Sequence, residues 1–261
     1  MKVSVIIPVR DEPYVGELTR RLHEVLSGYN HEVIVVDGDK SLNPPSVDDA
    51  RIVKCYGDSL ERAILTGVTV SSSDIIVVMD GDGSHPPEIV PQLVEKVMEG
   101  YDLAIASRFL GHKPEGLSVF RRFVSWFFIK VFRFAGISKN ITDPISGFFA
   151  VKKEVFDNTV FKPFKWKTLA EILLKNPRIK VCEVPFTFEE RKAGKSKASL
   201  SVGLSILYDV CVSSNRFKTL ARIGLIAILL ILTFHLLDIK NLIDTIQTIE
   251  SKYLLFSYVH T

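Results

Sequence analysis

One feature constrains the fold more than any other. Through the first half of the chain, short runs that are apolar at nearly every position alternate with segments that are apolar at helical spacing. Val3–Val9, Glu32–Val36, Ile52–Val53, Asp74–Met79 and Asp102–Ala106 read as strands. Glu17–Leu26, with Leu18, Leu22, Val25 and Leu26 along one face, and Ser59–Val70 read as helices. Pro86-Pro87-Glu88 opens another, because a helix tolerates proline in its first turn. A strand with no polar face must be covered on both sides, and crossover helices do this. The pattern therefore predicts an α/β fold around a mostly parallel sheet. The opening run Met1–Pro8 lacks a signal-peptide layout and reads as the first strand.

Charged residues gather where these strands end. Asp11 and Glu12 follow the first, Asp37 and Asp39 the second, Asp80 and Asp82 the run ending at Met79, and Arg108 the next. Polar turns are common at strand ends, so one such cluster means little. Four in succession favour a site, since open parallel sheets bind ligands at the carboxyl ends of their strands.

The second half has a different character. Phe120, Phe123, Trp126, Phe127, Phe128, Phe132 and Phe134 crowd Ser118–Phe134, with Arg121, Arg122, Lys130 and Arg133 among them. An aromatic helix with a basic face fits either a membrane interface or a core position. Leu220–Leu237 is almost wholly apolar and reaches the lower length limit for spanning a bilayer. Arg191, Lys192, Lys195, Lys197, Arg216, Lys218 and Arg222 lie on its N-terminal side, Arg222 just inside it, against Lys240 and Lys252 on its C-terminal side, which predicts a single-pass chain with its large domain on the cytoplasmic face. The expected division is a catalytic domain at 1–215 with interface helices near 118–134 and 200–214, a transmembrane segment at 216–239, and a tail at 240–261. Composition agrees: 47% hydrophobic and 24% charged residues exclude a disordered chain. A mean hydropathy of +0.21 is high for a soluble domain. The net charge of +3 is too small to argue for nucleic-acid binding. Cys55, Cys182 and Cys211 have no metal-ligand spacing and read as reduced thiols.

Asp80-Gly81-Asp82-Gly83-Ser84 carries the sharpest chemistry. Two carboxylates one residue apart on a turn can hold a hard divalent cation against a diphosphate. An EF-hand reading fails, because the sixth position is His85 and the twelfth Pro91. The Asp-x-Asp-Gly of haloacid-dehalogenase phosphatases fits locally, although that family carries it on the first strand and adds a later Gly-Asp pair not found here. The Asp-x-Asp of nucleotide-sugar transferases also fits. The motif alone leaves both open.

Its neighbours narrow the choice. Val5-Ile6-Ile7-Pro8 precedes Asp11-Glu12; Glu32–Asp37 and Ala63–Gly67 follow; then Met79–Glu88, Ser107-Arg108, Asp143-Pro144-Ile145-Ser146-Gly147-Phe148 and Arg191-Lys192-Ala193-Gly194-Lys195-Ser196-Lys197. In this order the chain resembles the family-2 glycosyltransferases over about residues 3–200, and within them the dolichyl- or polyprenyl-phosphate mannose and glucose synthases. It departs from them at Arg10, where an aromatic residue is usual; at Gly38-Asp39-Lys40, for Asp-x-Ser; at Gly81, for alanine; and at Ile145, for threonine. There is no Gln-x-x-Arg-Trp and no series of spans, so the processive polysaccharide synthases are not resembled.

The resemblance implies a GT-A type fold and inverting transfer of one hexose, mannose before glucose, from a GDP- or UDP-sugar to a polyprenyl phosphate. It implies that Pro8, Arg10, Glu12, Asp37, Asp39, Asp80 and Gly81 meet the nucleotide sugar, and that Asp80, Asp82 and Ser84 hold Mg2+ or Mn2+. Asp82, Arg108 and Arg121 are the catalytic candidates; Arg108, Arg121, Ser125, Arg191, Ser196 and Lys197 are candidates for the acceptor phosphate. These residue types suit the reaction. A lipid monophosphate is already an anion and needs no strong base, so the protein's task is to gather two phosphate-bearing substrates and offset their repulsion. Arg121 and Ser125 lie one helical turn apart and can serve one phosphate. Arg122, Lys130 and Arg133 read as a solvated basic face. His23, His31, His85 and His112 read as structural or surface residues, with His85 a candidate neighbour of the site.

Overall fold

The computed structural model describes residues 1–38, 49–57, 59–110, 119–161 (side chains from 126 onward) and 167–187, with single positions at 45 and 47 and eight more between 217 and 227. The chain divides into two compact units, Met1–Val212 and Ser213–Thr261.

In the first unit the elements run β1 (Lys2–Val9), α1 (Val15–Val25), β2 (Asn30–Gly38), β3 (Arg51–Cys55), α2 (Leu60–Val70) and β4 (Ile75–Val78). A 3-10 turn at Pro87–Ile89 leads into α3 (Val90–Met98), followed by β5 (Leu103–Ser107), α4 (Val119–Ala135), β6 (Phe149–Lys152), α5 (Lys153–Asp157), α6 (Thr168–Lys175) and β7 (Val181–Pro185). The elements expected from periodicity fall within two residues of these bounds. Two strands were not anticipated, β6 and β7.

The seven strands form one sheet in the order β3-β2-β1-β4-β6-β5-β7. All neighbours are parallel except β6, which runs antiparallel between β4 and β5. From β1 the chain steps outward to β2 and β3, then returns to the other side of β1 as β4. That reversal opens a crevice at the carboxyl ends of β1 and β4. The reversed direction of β6 matters equally. Its first residue, Phe149, pairs with Val78 at the end of β4 and with Ile105 near the end of β5. The segment Asp143–Phe148 is thereby delivered onto the same rim.

Alternate residues of the strands face opposite layers. Val3, Val5, Ile7, Val33, Val35, Ile75 and Val77 pack with Leu18, Leu22, Leu93 and Val94 of α1 and α3 in one buried core. Each such side chain contributes roughly 1.5–3 kcal/mol on burial. Ile6 and Val36 face α2, which approaches so closely that a β-carbon on Gly67 would lie 2.6 Å from Ile6 Cγ2. Only glycine permits this contact, so the helix lies flush over β1 and β2. Ser59 fixes where that helix starts, its Oγ accepting the Arg62 N–H at 3.1 Å.

In α4, Ile129, Phe132 and Ala135 are buried, whereas Trp126, Phe127 and Phe134 are exposed and Lys130 lies over the Trp126 ring. Arg133 departs from the solvated face expected of it: it is half-buried and its Nη2 donates to the Ile141 carbonyl at 3.2 Å. The chain turns back at Gly136, which brings that carbonyl within reach. In the second unit, residues 217–220, 223–224 and 226–227 are helical, with Leu220, Ile223 and Ile226 exposed. Among the described residues no helix is long and apolar enough to cross a membrane. Most of the expected span at 216–239, the expected helix near 200–214 and the tail at 240–261 lie outside them.

Candidate active site

The acidic side of the rim is the turn after β4. Asp82 is buried, and its Oδ1 accepts the Ser84 N–H at 3.0 Å and the Ser84 hydroxyl at 2.5 Å. Gly83, at φ 80°, makes that tight reversal possible. The Asp80 N–H donates to Nδ1 of His85 at 2.9 Å, so the turn is closed at both ends. Gly81 is pressed against β1: a β-carbon there would lie 2.7 Å from Val9 Cγ1 and 3.2 Å from Ile7 Cγ2. The alanine usual at this position has no room beside Val9. Asp80 is the more open of the two acids, its side chain 36% exposed.

The basic side is built by β5, β6 and β7 together. Arg108 donates from Nε to Asp143 Oδ2 at 2.8 Å and from Nη2 to Asp143 Oδ1 at 2.9 Å, a bidentate pair. Asp143 is fully buried. Burial works against the Arg108 charge, yet the Asp143 hydrogen bonds and charge, with help from Asp80, outweigh it and hold the guanidinium pKa above its ordinary value. A deeper layer fixes Asp143. Glu183 of β7 accepts the N–H groups of Thr142 and Asp143 and the Thr142 hydroxyl, all within 3.0 Å. Since that hydroxyl donates to Glu183, the Ser107 hydroxyl donates to Thr142 Oγ1 at 2.6 Å and accepts from the Phe109 N–H. Ser146 donates to the Ala106 carbonyl at 2.8 Å, tying the Asp143–Phe148 segment to β5.

The third part lies at the ends of β1 and β2. Asp37 is buried; Lys54 of β3 donates to its Oδ2 at 2.8 Å, while Oδ1 has no hydrogen-bond partner among the described residues. Leaving a buried carboxylate oxygen unsatisfied is costly, and a ligand N–H would relieve it. Arg10 runs alongside Gly38, whose added β-carbon would sit 3.5 Å from Arg10 Nε. Asp11, with φ 54°, is the one non-glycine residue among those described with positive φ.

The fold thus brings Pro8, Arg10, Glu12, Asp37, Asp80, Gly81, Asp82, Ser84 and Arg108 to one rim. Arg121 and Ser125 lie on α4, with side chains outside those described; Asp39, Arg191, Ser196 and Lys197 are outside the described residues altogether. The sequence marks Asp143 only as part of a motif and gives no local sign of Glu183. Their partners lie about forty residues away along the chain, and only the strand order joins them.

Among the described residues no group of three or more His, Cys, Asp and Glu side chains converges on one point. Two carboxylates on a turn, completed by diphosphate oxygens, suit Mg2+ or Mn2+ better than an all-protein cage. The Ser84 hydroxyl donates its proton to Asp82, which orients that carboxylate and leaves the oxygen's lone pairs for an ion.

Residues 4–160 match the glycosyl transferase family 2. The chain belongs to that family. It is 40% identical over 208 residues to a dolichol-phosphate mannosyltransferase of Pyrococcus furiosus, a match covering 76% of this chain and 59% of that one. This chain therefore spans about three-fifths of that relative's length. A dolichol-phosphate mannosyltransferase of Saccharomyces cerevisiae is 29% identical over 230 residues, covering 79% of this chain and 85% of the relative. Among solved structures, glucosyl-3-phosphoglycerate synthase from Mycobacterium tuberculosis, crystallised with Mn2+, UDP-glucose and phosphoglyceric acid, superposes with a TM-score of 0.59 at 18% identity. The match covers 83% of this chain and 80% of that one, a likeness of fold.

Proposed function

We propose that this family-2 member transfers a single hexose, mannose before glucose, from a nucleotide sugar to a polyprenyl phosphate, with inversion at the anomeric carbon. The observation that carries the reading is the meeting of opposite charges on one rim. Asp80 and Asp82 stand at the end of β4, and Arg108, clamped by Asp143, stands at the end of β5. The names of the relatives from Pyrococcus furiosus and Saccharomyces cerevisiae support the choice of substrates.

An acceptor phosphate oxygen attacks the anomeric carbon as the bond to the nucleoside diphosphate breaks. The acceptor is already anionic, so no side chain need remove a proton. Asp37 receives a base N–H, with Arg10 and Glu12 on the same part of the rim. A divalent cation, Mg2+ or Mn2+, bound by Asp80 and Asp82 would offset charge on the leaving diphosphate. Arg108 spends Nε and one Nη2 hydrogen on Asp143; its Nη1 edge is available to a phosphate oxygen. Arg121, Ser125, Arg191, Ser196 and Lys197 complete the acceptor side in this reading. Trp126, Phe127 and Phe134, exposed along α4 with Lys130, suit a membrane interface, and the apolar stretch at 216–239 suits a single span that leaves the catalytic domain cytoplasmic. The phosphatase reading gains nothing here, since the acidic motif follows β4 and not the first strand.

The deciding assay incubates membranes containing the protein with labelled GDP-mannose, UDP-glucose and a polyprenyl phosphate. A charged glycolipid product supports the proposal. Phosphate release independent of sugar points to a phosphatase, and nucleotide-sugar binding without either product points to a non-catalytic binder.

A further inference from the structure

His85 is buried, and it touches both the acidic turn and the segment facing it. Its Nδ1 accepts the Asp80 N–H at 2.9 Å. That bond fixes the tautomer: the remaining proton sits on Nε2, 3.8 Å from Asp80 Oδ2. One ring therefore accepts from the backbone of Asp80 and lies beside its carboxylate. Its flat face stacks on Phe148, with centroids 4.8 Å apart and planes 14° from parallel. The ring also meets Phe186, which follows β7, in an edge-to-face contact at 5.9 Å. Phe148 and Phe186 also meet each other edge to face at 5.7 Å. Phe148 ends the segment that begins with Asp143, the partner of Arg108. The ring is thus wedged between the acidic turn and the segment that carries the basic side.

We propose that His85 is a positioning residue that sets the direction of the Asp80 carboxylate, and that its stack on Phe148 keys the acidic turn to the Asp143–Phe148 segment. The proposal rests on the reading of Asp80 and Asp82 as the divalent-ion carboxylates. A ligand carboxylate is aimed by the groups behind it, and removing such a partner typically weakens metal binding by 10–100-fold.

Two substitutions separate the two functions of the ring. His85→Asn keeps an acceptor where Nδ1 stands and loses most of the stack. His85→Phe keeps the stack and loses the acceptor. The measurement is Mn2+ binding to the full chain, by electron paramagnetic resonance, with GDP or UDP present, beside a thermal melt. His85→Phe should weaken Mn2+ binding roughly 10–100-fold, and His85→Asn should recover most of that loss even where its melt is the lower. A folded His85→Phe that binds Mn2+ like the wild type overturns the proposal, as does a folded His85→Asn no better than His85→Phe. Should His85→Phe not fold, Phe148→Leu decides: a folded Phe148→Leu with weakened Mn2+ binding supports the keying role, and unchanged binding overturns it. If the wild type itself binds no Mn2+ beside either nucleotide, the two-carboxylate reading fails first, and the proposal with it.

Discussion

At the scale of single residues, the acidic turn shows how few degrees of freedom remain around the chemistry. Asp82 is held by two donors from Ser84, so its carboxylate has one orientation. Asp82→Asn keeps the size and can still accept from Ser84, but removes the charge. Transfer should then fall by several orders of magnitude while the melt stays close to wild type. Near-normal activity in that folded variant would falsify the metal assignment. Gly81 yields a second test. The 2.7 Å approach to Val9 Cγ1 leaves nowhere for a methyl group, so Gly81→Ala must push β1 and β4 apart at their ends. Overpacking of this kind costs about 1–3 kcal/mol. Trimming the neighbour should relieve it, so Gly81→Ala with Val9→Ala should be more stable by denaturant titration than the two single costs predict when added. Simple additivity would mean that the two side chains do not compete for the same space.

At the scale of elements, the two ends of the sheet are fastened differently. The carboxyl ends carry the site; the amino ends carry a polar knot that holds β1, β2 and β4 in register. Glu32 of β2 accepts from the Ser4 hydroxyl of β1 at 2.5 Å and from the Ser72 N–H ahead of β4 at 3.1 Å, with the Lys2 ammonium 3.3 Å away. Burial opposes its charge, but these hydrogen bonds and Lys2 outweigh it and hold its pKa below the ordinary value. A carboxyl depressed on folding stabilises the fold above its unfolded pKa and loses that effect as pH falls through the folded one. Glu32→Gln should therefore cost roughly 1.5–3 kcal/mol near neutrality. The gap from wild type should close as pH drops below about 4. A gap independent of pH would assign the cost to shape alone.

Legibility in the sequence follows the same division. β1, β2, β4 and β5 are each built around a continuous apolar run, Val5–Val9, Val33–Val36, Ile75–Val78 and Leu103–Ala106, and announce themselves. β6 ends in Lys152 and runs straight into the helix at Lys153, with no turn to mark it off, and β7 carries Glu183 at its centre and ends in Pro185. The site divides likewise: Asp80 and Asp82 are neighbours in the chain and visible as a motif. Arg108 and Asp143 are partners only because an antiparallel strand enters between β4 and β5, and no local pattern encodes that. Arg133 leaves the solvated face for a related reason, since its acceptor at Ile141 is supplied by the turn after its own helix.

At the scale of the whole molecule, the proposed reaction joins a water-soluble donor to an acceptor whose tail stays in a bilayer, so the catalytic unit must meet a membrane surface. The surface that fits lies along α4, where Trp126, Phe127 and Phe134 remain exposed while Ile129 and Phe132 close the core beneath. Large aromatic side chains on one face of a helix, with a lysine lying over the Trp126 ring, are suited to the headgroup region. Each aromatic inserted there contributes roughly 1.5–3 kcal/mol of apolar burial. Replacing Trp126 and Phe127 together by serine removes most of that insertion and leaves the core untouched. The double variant should retain its affinity for nucleotide and its melting temperature. It should transfer sugar to a short, water-soluble polyprenyl phosphate nearly as the wild type does. With a long-chain acceptor in vesicles its turnover should drop by about tenfold or more, since the loss of even 1.4 kcal/mol of surface binding is a factor of ten. Equal losses with both acceptors would place these aromatics in the active site and not at the membrane. No loss with either would show that the lipid reaches Arg108 by another face of the molecule.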